Sequence, residues 1–191
     1  MKTLLITGGI GSGKSIVCRH IDQMGYPIYN CDDRTKELYD ENPDLVDAIE
    51  EAFGEKLRND AGKLDRKKLA SIIFNDPLKK RQLEDIVHPV VREDFDIWRC
   101  GQESDLVVIE SAIAMGNPFF RDAYDASVLV VSPLDDRLKR VEIRDNATEE
   151  EVRKRIDSQE IDEDAADIVI DNSEDLDSLY AKVNQLINKF I

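Results

Sequence analysis

The chain has 191 residues, of which 41% are hydrophobic and 35% charged, and its formal net charge at pH 7 is −15. The length favours one globular unit with insertions, and the negative charge argues against a DNA or RNA partner, because nucleic-acid binding needs a cationic surface that displaces counterions. If such an acidic protein handles phosphates, it must concentrate its cations locally, so the positions of lysines and arginines are informative.

The sequence also indicates where the protein works. Its longest apolar runs are of strand length and fall far short of the ~20 residues that a membrane span requires, and we expect no signal peptide from the N-terminal residues. Cys18, Cys31 and Cys100 show no metal-binding or redox spacing, so we expect reduced thiols in a cytoplasmic protein. The sequence specifies no oligomeric state.

The first predicted elements are a strand, a glycine-rich loop and a helix. Residues 2–7 form an apolar and β-branched run that stops at Gly8, which is typical of a buried parallel strand. Between residues 14 and 24, apolar side chains recur at helical spacing. A short second strand is predicted over residues 26–30.

The loop between this strand and helix fits the phosphate-binding pattern G-x-x-x-x-G-K-[ST], known as a P-loop. Its residues are Gly8, Gly9, Ile10, Gly11, Ser12, Gly13, Lys14 and Ser15. Glycines let backbone N–H groups approach phosphate oxygens, and the helix N-terminus adds a favourable dipole. We expect Lys14 to reach the β- and γ-phosphates of ATP and the Ser15 hydroxyl to bind Mg²⁺. The alternative is a glycine-rich turn that precedes a lysine by chance.

Other P-loop classes match the sequence less well than a small kinase does. The guanine-specifying pattern Asn-Lys-x-Asp of GTPases does not occur in the sequence. A motor ATPase is usually larger. The motif in this chain therefore favours a small kinase.

Two carboxylates follow the second predicted strand. Asp32 and Asp33 would lie at the carboxyl edge of the sheet, near the P-loop. A hydroxyl acceptor needs a group that orients it and takes its proton, and a carboxylate can do both. The alternative role is a helix N-cap, for which Asp is favoured. Since two residues are present, we expect Asp33 to cap a helix and Asp32 to face the cleft.

From residue 33 to residue 98 the sequence is charged and poor in strand signals. Turn signals at residues 42–43, 60–62 and 76–77 divide it, and apolar residues between them recur at helical spacing. We interpret this segment as a helical insertion between two core strands. His88-Pro89 is interpreted as a corner at which a helix breaks.

The remaining elements alternate between strands and helices. Strands are predicted over residues 106–109, 127–131 and 167–170, and helices over residues 134–146, 148–159 and 176–190. Thr148 and Glu151 form a capping-box pattern at the start of the second of these helices. We therefore predict an α/β fold with a five-stranded parallel sheet, helices on both faces, and a ligand site beyond the carboxyl ends of the strands.

Two charged features each have a functional and a structural interpretation. Arg137, Arg140 and Arg144 recur at i, i+3 and i+7, so a helix would carry them on one solvent-facing stripe. The stripe is either an ordinary solvated face, where Asp136 pairs with Arg140, or a lid that closes on phosphates. Glu110 ends an apolar strand as in a Walker B segment, where an acid holds a Mg²⁺-bound water, although many buried strands end in an acid.

From residue 6 to about residue 186 the sequence resembles the dephospho-CoA kinase family. The P-loop carries this resemblance together with blocks that match in order and spacing. These blocks are Asn30-Cys31-Asp32, Leu64-Asp65-Arg66, Phe74-Asn75-Asp76-Pro77, residues 83–89 with His88-Pro89, Arg144-Asp145, Ser158-Gln159 and residues 167–172 (Asp-Ile-Val-Ile-Asp-Asn). Many kinases share the P-loop, whereas the His-Pro and Asp-x-x-Ile-Asp-Asn blocks are far more specific.

The resemblance implies a P-loop kinase that uses ATP and Mg²⁺ to phosphorylate the ribose 3′-hydroxyl of dephospho-CoA. It implies a core of about residues 1–32, 104–134 and 165–191, a helical CoA-binding insertion of about 33–103, and a lid of about 135–164. The implied catalytic residues are Asp32, Lys14 and Arg144, and Asp32 and His88 are implied to bind the substrate. The implied ATP-binding residues are Gly9, Gly11, Ser12, Gly13, Lys14, Ser15, Ile16, Arg140 and Asn172, with Ser15 as the metal ligand.

The sequence departs from the family pattern at two places, and two other functions share its main motif. Asn30 stands where the family has Asp, and residues 111–115 (Ser-Ala-Ile-Ala-Met) replace the family's Pro-Leu-Leu-Phe-Glu. Another small-molecule P-loop kinase, such as a nucleoside monophosphate kinase, would carry an insertion of this size. A non-catalytic nucleotide-binding module would not require Lys14, Asp32 and the arginine stripe together.

Overall fold

The structure is a computed structural model that describes residues 1–74, 76–159 and 165–191. Within these residues the elements, in chain order, are β1 (Lys2–Thr7), α1 (Lys14–Gln23), β2 (Ile28–Asn30), α2 (Cys31–Glu41), α3 (Pro43–Phe53), α4 (Arg66–Ile73), α5 (Pro77–Cys100), β3 (Leu106–Glu110), a 3₁₀ helix (Pro118–Phe120), β4 (Ala126–Val131), α6 (Leu134–Asp145), α7 (Glu149–Asp157), β5 (Ile168–Asp171) and α8 (Leu176–Phe190). The chain divides into two compact units, one of Met1–Asn30 with Gly101–Ile191 and one of Cys31–Cys100. Asn75 of the resemblance block and residues 160–164 at the end of the predicted lid lie outside the described residues.

The first unit is built on a parallel sheet whose strand order, within the described residues, is β2-β3-β1-β4-β5. β1 lies in the middle of this order, with Leu4 opposite Val108 of β3 and Ala126 of β4. Every residue of β1 after the first is buried, as expected of a central parallel strand. Helices α1 and α8 contribute Ile21 and Val183 to the buried cluster that contains Leu4. The sheet order brings the segment after β1 between the segments that follow β3 and β4.

The predicted α/β fold with five parallel strands is confirmed within the described residues. β1 has the predicted bounds, and the other four strands differ from the predicted ones by one or two residues at their ends. Helix α8 has the predicted bounds, and α7 begins with the predicted capping box, in which Thr148 N donates to Glu151 Oε2 at 2.9 Å. Both helices follow from local patterns that do not depend on distant residues.

The second unit, Cys31–Cys100, consists of helices α2 to α5 within the residues described, and the long helix α5 contacts the other three. The prediction of a corner at His88-Pro89 is wrong, because α5 continues through Pro89. Proline removes one helical N–H and costs stability in a helix interior. On both sides of Pro89, α5 buries apolar residues at helical spacing, including Val87 and Val91, and this burial offsets the cost.

Helix α2 begins at Cys31, directly after β2. Asp33 therefore lies inside the first turn, and the prediction that it caps the helix is wrong. Its Oδ1 forms an exposed ion pair with Lys36 Nζ at 2.6 Å. Carboxylates in the first turn of a helix interact favourably with the helix dipole, so Asp32 and Asp33 favour the helix without capping it. Among the residues that the structure describes, no helix is long and apolar enough to cross a membrane.

Candidate active site

The P-loop connects Thr7, the last residue of β1, to Lys14, the first residue of α1. Gly13 is the N-cap of α1 and has φ +105°. Residues with a Cβ rarely adopt such a value, so the backbone of the loop requires glycine at this position. The loop thus delivers the chain to a helix N-terminus, whose N–H groups and dipole favour anions.

Asn172 supports the loop from the end of the sheet. It follows β5 and is 4% exposed, and its Nδ2 donates to the Ser12 carbonyl at 2.7 Å. A Cβ on Gly13 would lie 2.2 Å from this Nδ2, so the missing side chain of Gly13 makes room for the amide. The structure shows that the Asn172 side chain holds the loop, and the predicted contact with ATP stays a prediction.

Lys14, Ser15 and Ile16 begin α1 and differ in where their side chains lie. Lys14 Nζ donates to the carbonyl of Gly8 at 2.7 Å and to that of Gly9 at 3.4 Å, so its ammonium lies over the loop. Ser15 is exposed in the first turn. Ile16 packs against the buried cluster of the first unit. Lys14 and Ser15 therefore present polar side chains at the loop, whereas Ile16 can reach a nucleotide only through its main chain.

The arginines of α6 do not form one solvent-facing stripe, so that prediction is wrong. Arg137 Nε donates to the carbonyl of Ile10 at 2.9 Å, and Arg140 Nη1 donates to the carbonyl of Gly11 at 3.2 Å. Both arginines are half-buried. Arg140 does not form the considered pair with Asp136, because its guanidinium instead bonds the loop. Charged donors bind carbonyl oxygens strongly, and this attraction places two of the three cations at the P-loop.

Arg144 is exposed and forms its ion pair within the α6–α7 hairpin, which we define as residues 134–159. Its Nε lies 2.7 Å from Asp145 Oδ1, and Arg155 Nη1 lies 2.9 Å from Asp145 Oδ2. The hydrogen bond from Arg144 lowers the pKa of Asp145, and the charges of both arginines act in the same direction. The predicted catalytic role of Arg144 stays a prediction.

Glu110 ends β3 and interacts with side chains from two neighbouring elements. Asn30 Nδ2 donates to Glu110 Oε2 at 3.0 Å. Burial raises the pKa of the Cys18 thiol well above its usual value, and the charge of Glu110 and a hydrogen bond with Glu110 raise it further. The departure from the family pattern at Asn30 thus supplies a hydrogen-bond donor to Glu110 where an Asp would add a second carboxylate. The Walker-B-like role of Glu110 stays a prediction.

Two predicted site residues belong to the second unit. Asp32 is exposed in the first turn of α2, and His88 is half-buried in the interior of α5. Burial lowers the pKa of His88, while the charges of Glu84 and Asp85 oppose this shift. The predicted catalytic role of Asp32 and substrate contact of His88 stay predictions. In the described part of the chain, no group of three or more His, Cys, Asp or Glu side chains is placed to hold a metal ion.

A cavity of about 310 Å³ lies beside the P-loop in the first unit. Its lining includes Gly9 and Ser12 of the loop, the end of β4, and Asp157 and Gln159 at the end of α7. Gln159 Oε1 accepts a hydrogen bond from Ile10 N at 2.7 Å. The residue chemistry alone does not predict this contact, and the only signal at Gln159 is the Ser158-Gln159 block of the family resemblance.

Comparisons with known proteins identify the family. A sequence profile of dephospho-CoA kinase matches residues 3–178. Dephospho-CoA kinase from Aromatoleum aromaticum is 35% identical over 189 residues, which cover 97% of this chain and 92% of the relative. Dephospho-CoA kinase from Porphyromonas gingivalis is 41% identical over 160 residues, which cover 84% of this chain and 78% of the relative.

Solved structures agree with the sequence relatives. The protein TT1252 from Thermus thermophilus has a TM-score of 0.83 at 28% identity, over 100% of this chain and 98% of that one. Dephospho-CoA kinase from Campylobacter jejuni has a TM-score of 0.65 at 23% identity, over 98% of this chain and 96% of that one. Shikimate kinase from Acinetobacter baumannii, with a TM-score of 0.55 at 16% identity over 100% and 94%, shares the fold alone. The chain matches the family profile and the sequence relatives over most of its length, and its P-loop has the supports described above. The chain therefore belongs to the dephospho-CoA kinase family.

Proposed function

We propose that the protein transfers the γ-phosphoryl group of ATP to the ribose 3′-hydroxyl of dephospho-CoA, which yields ADP and coenzyme A in the final step of CoA biosynthesis. One observation carries the proposal: a complete P-loop, with the Lys14 ammonium over it, occurs in a member of the dephospho-CoA kinase family. The family match does not favour the alternative of a nucleoside monophosphate kinase.

We assign ATP to the P-loop. The backbone N–H groups of Gly9, Gly11 and Gly13 and the N-terminus of α1 would bind the phosphate oxygens. Lys14 would neutralise negative charge that develops during transfer, an effect that is strongest where water is excluded. Arg140 and Asn172 would flank the nucleotide, and their hydrogen bonds to Gly11 and Ser12 keep both side chains beside the loop.

We assign Mg²⁺ to the hydroxyl of Ser15. Mg²⁺ in phosphate-binding sites usually takes one or two protein oxygens and completes its coordination with phosphate oxygens and water. An exposed hydroxyl in the first turn of α1, next to Lys14, fits this donor set. When bound, the ion would neutralise charge on the β- and γ-phosphates.

We assign the acceptor to the helical insertion of about residues 33–103, most of which lies in the second unit, Cys31–Cys100, and the lid to about residues 135–164, which include most of α6 and all of α7. Asp32 would orient the 3′-hydroxyl and take its proton as the hydroxyl oxygen bonds to the γ-phosphorus. The bond from the γ-phosphorus to the β–γ bridging oxygen breaks, and ADP leaves with that oxygen. His88 would contact the substrate.

Arg144 is proposed to stabilise the transferring phosphoryl group. This role requires its guanidinium to exchange Asp145 for phosphate oxygens, since the two side chains are bonded in the structure. The exposure of the pair makes this exchange inexpensive, because exposed ion pairs contribute little to stability. A cytoplasmic location is part of the proposal and is supported by Cys18, Cys31 and Cys100, which form no disulfide bond.

A turnover assay tests the function directly. Purified protein with ATP and Mg²⁺ is given dephospho-CoA, AMP, dTMP or no acceptor, and products are quantified by chromatography and mass spectrometry. We expect coenzyme A to form and dephospho-CoA to have the highest kcat/KM. Faster phosphorylation of AMP or dTMP would contradict the assignment of dephospho-CoA as the acceptor, although the protein would still be a P-loop kinase. ATP binding without turnover of any acceptor would indicate a binding module.

A further inference from the structure

The α6–α7 hairpin holds one residue of the P-loop, Ile10, by three separate contacts. The Ile10 N–H donates to Gln159 Oε1 at 2.7 Å, and the Ile10 carbonyl accepts from Arg137 Nε at 2.9 Å. The Ile10 side chain packs against a buried hydrophobic cluster of the hairpin. The cluster consists of Leu138, Val141, Val152 and Ile156. Amide, carbonyl and side chain of one loop residue are therefore all bound by the same hairpin.

The next residue of the loop shows how closely the hairpin approaches. A Cβ on Gly11 would lie 2.7 Å from the carbonyl oxygen of Arg137 and 2.9 Å from Val141 Cγ2. Such distances exclude any side chain at this position unless α6 moves. The backbone of the P-loop at Ile10 and Gly11 is thus packed directly on α6, and the position of the hairpin and the shape of the loop depend on each other.

Gln159 has a distinct part in this contact. It lies beyond the end of α7 and outside the P-loop motif, and its side-chain oxygen binds the peptide that joins Gly9 to Ile10. A peptide plane has one orientation, so a bound N–H also fixes the direction of the carbonyl on the other side of the same bond. The carbonyl of Gly9 in turn accepts from Ser12 N at 3.1 Å. The bond from Gln159 therefore constrains the turn that forms the phosphate cradle.

We propose that Gln159 is a positioning residue for phosphate binding: through the Ile10 amide, it holds the P-loop in its binding shape and couples the α6–α7 hairpin to the nucleotide site. The proposal rests on the proposed function only where dephospho-CoA turnover is used as a readout. Gln159 acts through Ile10 and needs no contact with the reacting atoms.

The test compares variants that remove or retain the acceptor. Gln159→Met keeps length and shape but removes the amide oxygen, Gln159→Ala removes the amide without adding a group, and Gln159→Glu retains an acceptor. Ser158→Ala is the matched control, because the Ser158 hydroxyl bonds the carbonyl of Arg155 at 2.9 Å and not the P-loop. Exchange of the Ile10 amide is measured by NMR in the ligand-free protein, and affinity for a non-hydrolysable ATP analogue by calorimetry.

We expect Gln159→Met and Gln159→Ala to accelerate exchange of the Ile10 amide about 10-fold and to weaken analogue binding about 3- to 10-fold, as loss of one hydrogen bond implies. The KM for dephospho-CoA should not change, and Ser158→Ala should match the wild type. Gln159→Glu should restore slow exchange. Undiminished protection of Ile10, or unchanged analogue affinity, in both acceptor-free variants would overturn the proposal. Analogue binding does not involve the acceptor, so failure of the wild type with dephospho-CoA would refute the proposed function alone.

Discussion

Replacing Gly13 by Ala tests whether the P-loop is shaped by the residue behind it. The new Cβ would lie 2.2 Å from Asn172 Nδ2 and 3.4 Å from Asn172 Cγ. Asn172 is buried and its amide donates to the Ser12 carbonyl, so the clash forces either the amide away from Ser12 or the loop away from β5. The substitution also places a residue with a Cβ at φ +105°.

The expected loss of stability has two contributions, one from the backbone conformation and one from the lost hydrogen bond of Asn172. Holding an L-residue in a sparsely populated backbone region costs about 1–3 kcal/mol, and leaving a buried group without its hydrogen bond costs about 1–3 kcal/mol. Gly25→Ala is the matched control, because Gly25 has φ +93° and a Cβ there would meet nothing within 4 Å. Only the backbone term applies to Gly25→Ala. The difference between the two variants, about 1–3 kcal/mol, therefore isolates the contact with Asn172.

Thermal unfolding and titration of an ATP analogue measure the two consequences. For a chain of this length, we expect the Tm of Gly13→Ala to fall about 2–12 °C below that of Gly25→Ala. If the distorted loop weakens binding of the ATP analogue by about 1.4 kcal/mol, the affinity falls about 10-fold. Gly25→Ala should bind the analogue like the wild type. In the double variant Gly13→Ala/Asn172→Ala the losses should be less than additive. Equal Tm and affinity in Gly13→Ala and Gly25→Ala would refute the reasoning.

Three further predictions concern catalysis and pH dependence. Lys14→Ala should lower kcat about 10²–10³-fold, as loss of one preorganised electrostatic group typically does, with an unchanged Tm, and normal turnover in the folded variant would contradict the P-loop assignment. Asp32→Asn should lower kcat about 10²–10⁴-fold, as loss of a general base does, while Asp33→Asn retains activity; the reverse ranking in steady-state kinetics would assign the base to Asp33. Burial lowers the pKa of His88 below the value of 6.5 that it has when unfolded, so the unfolded chain binds more protons and the free energy of unfolding falls as the pH drops below 6.5. In denaturant titrations from pH 7.5 to pH 5, His88→Gln should make the free energy of unfolding less dependent on pH. The same pH dependence in the variant and the wild type would show that His88 does not contribute.

Several elements follow from the sequence because local patterns specify them. The apolar run of residues 2–7, the glycines after it and the helical spacing beyond Lys14 predict strand, loop and helix, and the structure confirms all three. The capping box at Thr148 and the amphipathic pattern of α8 were likewise predictable. In these cases the pattern that specifies each element lies within a few residues along the chain, even though packing partners such as β3 and β4 beside β1 are distant.

The tertiary structure decides the features whose partners are distant in sequence. A proline inside an amphipathic pattern predicts a break by itself, but α5 continues through Pro89 because its apolar face is buried on both sides. Arg137 and Arg140 have the spacing of a solvated stripe, but loop carbonyls more than a hundred residues away bind both side chains. Asn172 meets Gly13 only because β5 and β1 end at the same edge of the sheet. Sequence periodicity gives the face on which a side chain lies, whereas the group that it meets depends on which distant segments the fold brings to that face.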